Sequence, residues 1–163
     1  MKPDDNSCAE PAVRLPCMCA DLRRAARIVT QFYDDVLRPT GLRITQFTLL
    51  QALHEAPEIS QKQLADILAI DSTTLTRTLA HLRWKRWLRA VPGTDRREIR
   101  LSLTAAGLRE YKSVLPYWQS AQTRLKRAWG DESCNEAMNV AMRIAGATPL
   151  APPDSPGSKR TKR

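Results

Sequence analysis

The sequence predicts a mainly α-helical fold with a small β-wing: a winged helix-turn-helix flanked by N- and C-terminal dimerisation helices. Three observations carry that expectation. Between residues 60 and 84 two short helical patterns follow one another across a connection of three residues, Ala69-Ile70-Asp71. Directly after them, Leu88–Pro92 and Ile99–Leu103 bracket the charged tip Gly93-Thr94-Asp95-Arg96-Arg97-Glu98, as the two strands of a hairpin would. Long amphipathic stretches lie on either side, with more apolar surface than so small a lobe can cover.

The elements follow in chain order. Residues 1–16 are polar and interrupted by proline, and are expected to be a flexible tail ahead of one domain over 17–146. A helix is expected over about 19–38, with Leu22, Ala25, Ala26, Val29, Phe32, Tyr33, Val36 and Leu37 on one face, stopping near Pro39. A second begins with Thr45 as cap and runs through Phe47, Leu50 and Leu53 to Pro57. The third opens at Ser60, where Gln63 completes a capping box before apolar Leu64, Ile67 and Leu68. In the fourth, Leu75, Leu79 and Leu82 form the buried seam. Thr104 caps a long helix carrying Leu108, Tyr111, Leu115, Trp118 and Leu125, in which Pro116 predicts a kink. Gly130-Asp131 ends it and starts a last helix with Ala137, Val140, Ala141 and Ile144 inward. Residues 147–163, rich in Pro, Ser, Lys and Arg, are expected to be a disordered basic tail.

The fourth helix holds the chemistry. Ser72, Thr73, Thr76 and Arg77 are left off its apolar seam, and this is the side-chain set that suits a helix entering a major groove. Short hydroxyls let the backbone approach the duplex, and arginine offers guanine a two-pronged contact. Ser72 and Thr73 equally suit plain helix capping. Ser60, Gln61 and Lys62 open the preceding helix and are expected to clamp the DNA backbone. At the hairpin tip Arg97 is expected in the minor groove, with Asp95 aiming its guanidinium and Arg96 on phosphate. Asp95 is also ordinary turn chemistry. These two lobes divide at about 42–104 for DNA contact, with the helices of about 19–38 and 105–145 for dimerisation.

Charge supports the same partner. The net charge is +9, and residues 71–100 alone hold eight Lys/Arg against three Asp/Glu. The last six residues add four more basic groups and no acid. Both concentrations suit phosphate contact. No segment approaches the roughly 20 apolar residues of a membrane span, and residues 1–10 lack an apolar signal region, so the cytoplasm is the expected compartment. There the four cysteines are expected to be thiols. An enzyme is not expected: the two histidines form no zinc signature, and the chain has no glycine-rich phosphate loop and no nucleophile with an evident base. No cofactor and no metal are expected. A nonspecific chromosome-binding protein and a winged-helix protein-interaction module remain as alternatives, separable by their response to DNA sequence and salt.

Asp95-Arg96-Arg97 followed by Ile99-Arg100-Leu101-Ser102-Leu103-Thr104-Ala105-Ala106-Gly107 resembles the wing and following helix start of MarR-type transcriptional regulators. The resemblance spans about Cys19 to Ile144. It implies a triangular homodimer built from both chain ends, two reading helices about 34 Å apart, and an inverted-repeat operator. It assigns the wing roles above to Asp95 and Arg97, and implies repression by default. One departure is Arg86, standing in Trp84-Lys85-Arg86-Trp87 where the family usually ends its reading helix with glycine. In the peroxide-sensing branch a reactive cysteine begins the first helix, and Cys19 falls on that position. A helix N-terminus with Arg23 and Arg24 nearby suits a thiolate, and Asp21 opposes it. Cys17 could resolve an oxidised Cys19, while a closed metal site would need Cys8, Cys134 or a partner subunit as well. The tyrosines of that branch are replaced here by Ile44 and Phe47. The other expected signal is a small aromatic or anionic molecule, in a pocket lined by Arg27, Phe32, Phe47, Tyr117 and Trp118.

Overall fold

A computed structural model describes residues 16–93 and 99–146 of the chain. Six helices and three strands follow in order: α1 (Met18–Leu37), α2 (Ile44–Glu55), β1 (Ile59–Ser60), α3 (Gln61–Leu68), α4 (Ser72–Trp84), β2 (Leu88–Pro92), β3 (Ile99–Leu103), α5 (Ala105–Trp129) and α6 (Asp131–Gly146). The sheet is antiparallel in the order β1-β3-β2. This is the expected mainly helical fold with a small wing, and β2 and β3 lie where the sequence places them, Leu88 opposite Leu103 and Pro92 opposite Ile99.

Each start has a physical cause. At α3 the capping box forms as the sequence predicts: Gln63 N–H donates to Ser60 Oγ and Ser60 N–H to Gln63 Oε1, both at 3.1 Å. At α5, Thr104 Oγ1 accepts from Gly107 N–H at 3.1 Å. At α2 the expectation fails. Thr45 lies inside the helix, and the start is organised by Asp34 of α1, whose Oδ1 accepts from Ile44 N–H at 2.7 Å. Gln46 reaches back to Arg43 N–H at 2.9 Å. Asp34 thus turns inward to serve another helix.

The core lies where α2, α3, α4 and β3 meet the first half of α5. Leu37, Phe47, Leu50, Leu64, Leu75, Leu79, Leu82, Leu101 and Val114 are fully buried there. Ile67 does not join them and is exposed, because α3 is only eight residues long and turns a single face inward. The short β1 is not visible in the sequence pattern. It makes β3 a central strand, which buries Ser102 as well as Leu101 and breaks the in–out alternation expected there.

The end of α4 meets the start of α5 in one knot of contacts. Arg86 closes α4 in the left-handed region, at φ 57°. Trp87 N–H donates to Leu82 O and Arg86 N–H to Arg83 O, both at 2.9 Å, the two bonds of a Schellman ending. Thr104 then binds both exposed carbonyls beyond it: its hydroxyl donates to Arg86 O at 2.8 Å and its N–H to Trp87 O at 2.9 Å. Gly107 packs so closely that a Cβ there would lie 2.2 Å from Trp87 O.

The outer helices behave differently along their lengths. Tyr33 is buried within the protomer and its hydroxyl donates to Gln122 Oε1 at 2.6 Å, so it needs no second chain. Burial first, and Cys134 second, push that phenol above its ordinary value and keep it a donor. Helix α1 is largely exposed as far as Ile28, with Met18, Leu22 and Ile28 all open to solvent. No residue of α6 is fully buried: Ala137 and Ala141 face a groove, and Ile144 faces outward instead of inward.

Candidate nucleic-acid interface

Helix α4 presents two unlike faces because of its spacing. Leu75, Leu79 and Leu82 anchor one in the core, leaving Ser72, Thr73, Thr76 and Arg77 exposed on the other. The cap that starts the helix is neither Ser72 nor Thr73 but Asp71. Its Oδ1 accepts from Thr74 N–H at 2.9 Å and its Oδ2 from the Thr74 hydroxyl at 2.7 Å. Those bonds, the side-chain one foremost, hold the Asp71 carboxyl below the usual carboxylate range. Relieved of capping, Ser72 and Thr73 keep their hydroxyls for a ligand. Asp71 also occupies the helix start with its own negative charge, which disfavours holding a phosphate on the α4 amides.

Helix α3 crosses in front, through a tight turn in which Ala69 is left-handed at φ 50°. The crossing places Gln61 beside α4: Gln61 Nε2 donates to Thr76 Oγ1 at 2.9 Å. Lys62 is exposed on the same turn of α3. Ser60 is buried, its hydroxyl oxygen accepting from Gln63 N–H and its backbone in register with Arg100 of β3, so it is less open to a phosphate than Lys62. Asp95, Arg96 and Arg97 lie outside the described residues. At the other end of α4, His81, Trp84, Lys85 and Trp87 form a cation–aromatic cluster, with Lys85 Nζ 4.8 Å from the centre of the exposed Trp84 ring. Sequence reasoning missed Asp71 and the Gln61–Thr76 bond. Aspartate before a helix is a readable cap signal, whereas two residues fifteen apart give no sign of touching.

The expected sensor residues stand together at the start of α1. Cys17 is the residue before the helix, and Cys19 is exposed one residue inside it. Arg23, Arg24, Arg27 and Asp21 share their surface. Cys134 lies apart, on α6.

The structure does not assemble the expected effector pocket. Phe47 is fully buried, stacked on Tyr111 with ring centres 5.6 Å apart and tilted against Trp118 at 5.9 Å. Phe32 packs edge-on to Tyr33 and beneath Arg124, Arg27 lies with the cysteines, and Tyr117 faces solvent. Of these aromatics Phe47 has gone into the core and the others point to separate surfaces. Only Trp118 of the five lines the groove of about 730 Å³ between α1, α5 and α6, with Tyr33, Trp129, Cys134 and Met138. Among the described residues no helix is long and apolar enough to cross a membrane.

Comparison with known proteins agrees with this geometry. Residues 40–98 match the MarR family. The solved structure of the M. tuberculosis transcriptional regulator MosR in complex with DNA is 33% identical, superposes with a TM-score of 0.68, and the match covers 78% of this chain and 96% of that one. The wild-type MarR of E. coli in its apo form shares the fold at 19% identity and a TM-score of 0.65, over 80% of this chain and 98% of that one. An uncharacterized HTH-type transcriptional regulator of Bacillus subtilis, YwoH, is 27% identical over 93 residues, which is 57% of this chain and 68% of its own. A helix anchored in the core by a leucine seam with its polar face exposed, a paired strand hairpin behind it, and a relative at 33% identity matched over 96% of its length lead to one conclusion: the chain belongs to the MarR family of transcriptional regulators, proteins that are not enzymes.

Proposed function

We propose that the chain is a homodimeric, sequence-specific DNA-binding regulator, acting in the cytoplasm as a repressor on an inverted-repeat operator. The observation that carries this is the exposed face of α4, where Ser72, Thr73, Thr76 and Arg77 stand free of both core and capping duties. MosR, the relative at 33% identity, was solved with DNA. The exposed apolar residues of α1 and α6 supply a surface for a second copy, which would set two reading helices one turn of duplex apart. Arg97 enters the minor groove, aimed by Asp95, with Arg96 and Lys62 on phosphates.

The signal releasing the operator is thiol-reactive. Cys17 and Cys19 are both exposed and ringed by Arg23, Arg24 and Arg27, a setting in which peroxide can oxidise one thiol and the other can close a disulfide, giving alcohol and water. A second reading rests on the groove holding Trp118, which has room for a small aromatic or anionic molecule. Either signal would favour a dimer whose reading helices no longer match the repeat.

The test is selection of the purified protein against random DNA, followed by titration of the best site with and without organic peroxide. An enriched inverted repeat released by peroxide is expected, with Cys19→Ser keeping affinity and losing the response. A response that survives in Cys19→Ser removes the thiol reading and leaves the groove. Arg97→Ala is expected to weaken specific binding by about 1–3 kcal/mol, and unchanged affinity removes the wing from the mechanism. No enriched sequence would instead identify a nonspecific chromosome-binding protein or a protein-interaction module.

A further inference from the structure

Thr76 has a fully determined hydrogen-bonding state. Its hydroxyl donates to Ser72 O, one helical turn back, at 2.7 Å, and accepts from Gln61 Nε2 at 2.9 Å. A threonine hydroxyl has one proton and two lone pairs. With the proton on Ser72 O and one lone pair facing Gln61, a single lone pair is left. On the exposed face of α4, Thr76 can therefore only accept. The same reasoning fixes the Gln61 amide: Thr76 has no proton to give its oxygen, so the nitrogen must face Thr76. Gln61 keeps one N–H and its Oε1 at the front of α3, and the two lie side by side when Thr76 takes the N–H that points away from Oε1.

We propose that Gln61 is a specificity residue rather than a backbone clamp, and that Gln61 and Thr76 together read one adenine per half-site in the major groove. Adenine shows there an acceptor, N7, beside a donor, the N6 amine, which matches the remaining N–H and Oε1 of Gln61 as a two-pronged pair. Guanine shows two acceptors, and either the Gln61 oxygen or the last Thr76 lone pair would face one of them unpaired. Thymine offers an acceptor and a methyl group, and cytosine a donor alone, so each satisfies half of the glutamine. The pairing also extends the reading surface from α4 onto a second helix, holding both side chains in one arrangement before DNA arrives. The inference rests on the DNA-binding function proposed above.

The test selects sites from random DNA with the wild-type protein, Gln61→Ala, Thr76→Val and Thr76→Ser. Affinities are then titrated on four duplexes that differ only at the position concerned. The wild type is expected to prefer adenine at one position per half-site by about tenfold or more. Gln61→Ala and Thr76→Val should both flatten that same position while preferences elsewhere persist, and Thr76→Ser, which keeps the hydroxyl, should retain it. Gln61→Ala weakening all four duplexes alike, with a shallower salt dependence, would make Gln61 a phosphate clamp and overturn the proposal. So would the two substitutions flattening different positions. A wild-type protein that enriches no sequence fails at the earlier step, and overturns the DNA-binding proposal along with this one.

Discussion

Arg86 is the residue at which sequence and geometry disagree most openly. A side chain with a Cβ is held at φ 57°, at a cost of about 1 kcal/mol, because its own N–H and carbonyl and the amide after it are all engaged. Arg86→Gly is expected to raise stability by about 1 kcal/mol in denaturant titration. It should at the same time weaken DNA binding if the retained arginine serves phosphate contact, and unchanged affinity would show that it does not. Gly107 is the opposite case, a glycine needed for space rather than for torsion. Gly107→Ala sets a methyl 2.2 Å from a backbone oxygen that Thr104 also binds, and is expected to cost about 1–3 kcal/mol. A loss of a few tenths or less in the same titration would show that the junction yields.

Among the elements, α4 owes its start to a titrating group. The bonds from Thr74 favour the charged form of Asp71 and lower its pKa on folding, so the stability they bring is complete above the unfolded value, near 4. It is lost as the pH falls through the lower folded value. Melting temperatures followed from about pH 6 to pH 3 should therefore fall less steeply for Asp71→Asn, which still accepts from Thr74 N–H but does not titrate. Parallel curves would mean that Asp71 contributes nothing to acid sensitivity. The elements also show what was legible in the sequence. The hairpin strands, the α3 capping box and the α4 seam are local patterns, fixed by residues within a few positions of one another. The start of α2 is not local, since Asp34 reaches it from another helix, and Thr45 is therefore a misleading cap. Two-residue β1 is too short for any periodicity. The expected pocket fails for a related reason: which side of Phe47 faces Tyr111 is decided by how α2 packs on α5, and spacing along one helix cannot show it. At the interface, the face of α4 was readable and the Gln61–Thr76 bond was not.

For the whole molecule, the outer helices α1 and α6 carry much of the unburied apolar surface. Tyr33 is covered within the protomer and Trp118 is half-buried on the groove, while Leu22, Ile28, Met138, Met142 and Ile144 are exposed. The proposed dimer predicts a melting temperature that rises with protein concentration. Ile144→Glu should abolish that dependence and yield monomers in analytical ultracentrifugation with helical content unchanged. A dimer that persists would place the interface elsewhere. The junction of Arg86, Trp87, Thr104 and Gly107 bears on such an assembly too. It rivets the rear of the reading helix to the front of a 25-residue strut. At about 1.5 Å per residue that strut spans nearly 38 Å, so a tilt of a few degrees at its far end would swing the reading helix through ångströms. In the proposed dimer that rigid junction would pass a tilt of the distant end on to the reading helix, and so turn an event far from the DNA into an error of alignment at the groove.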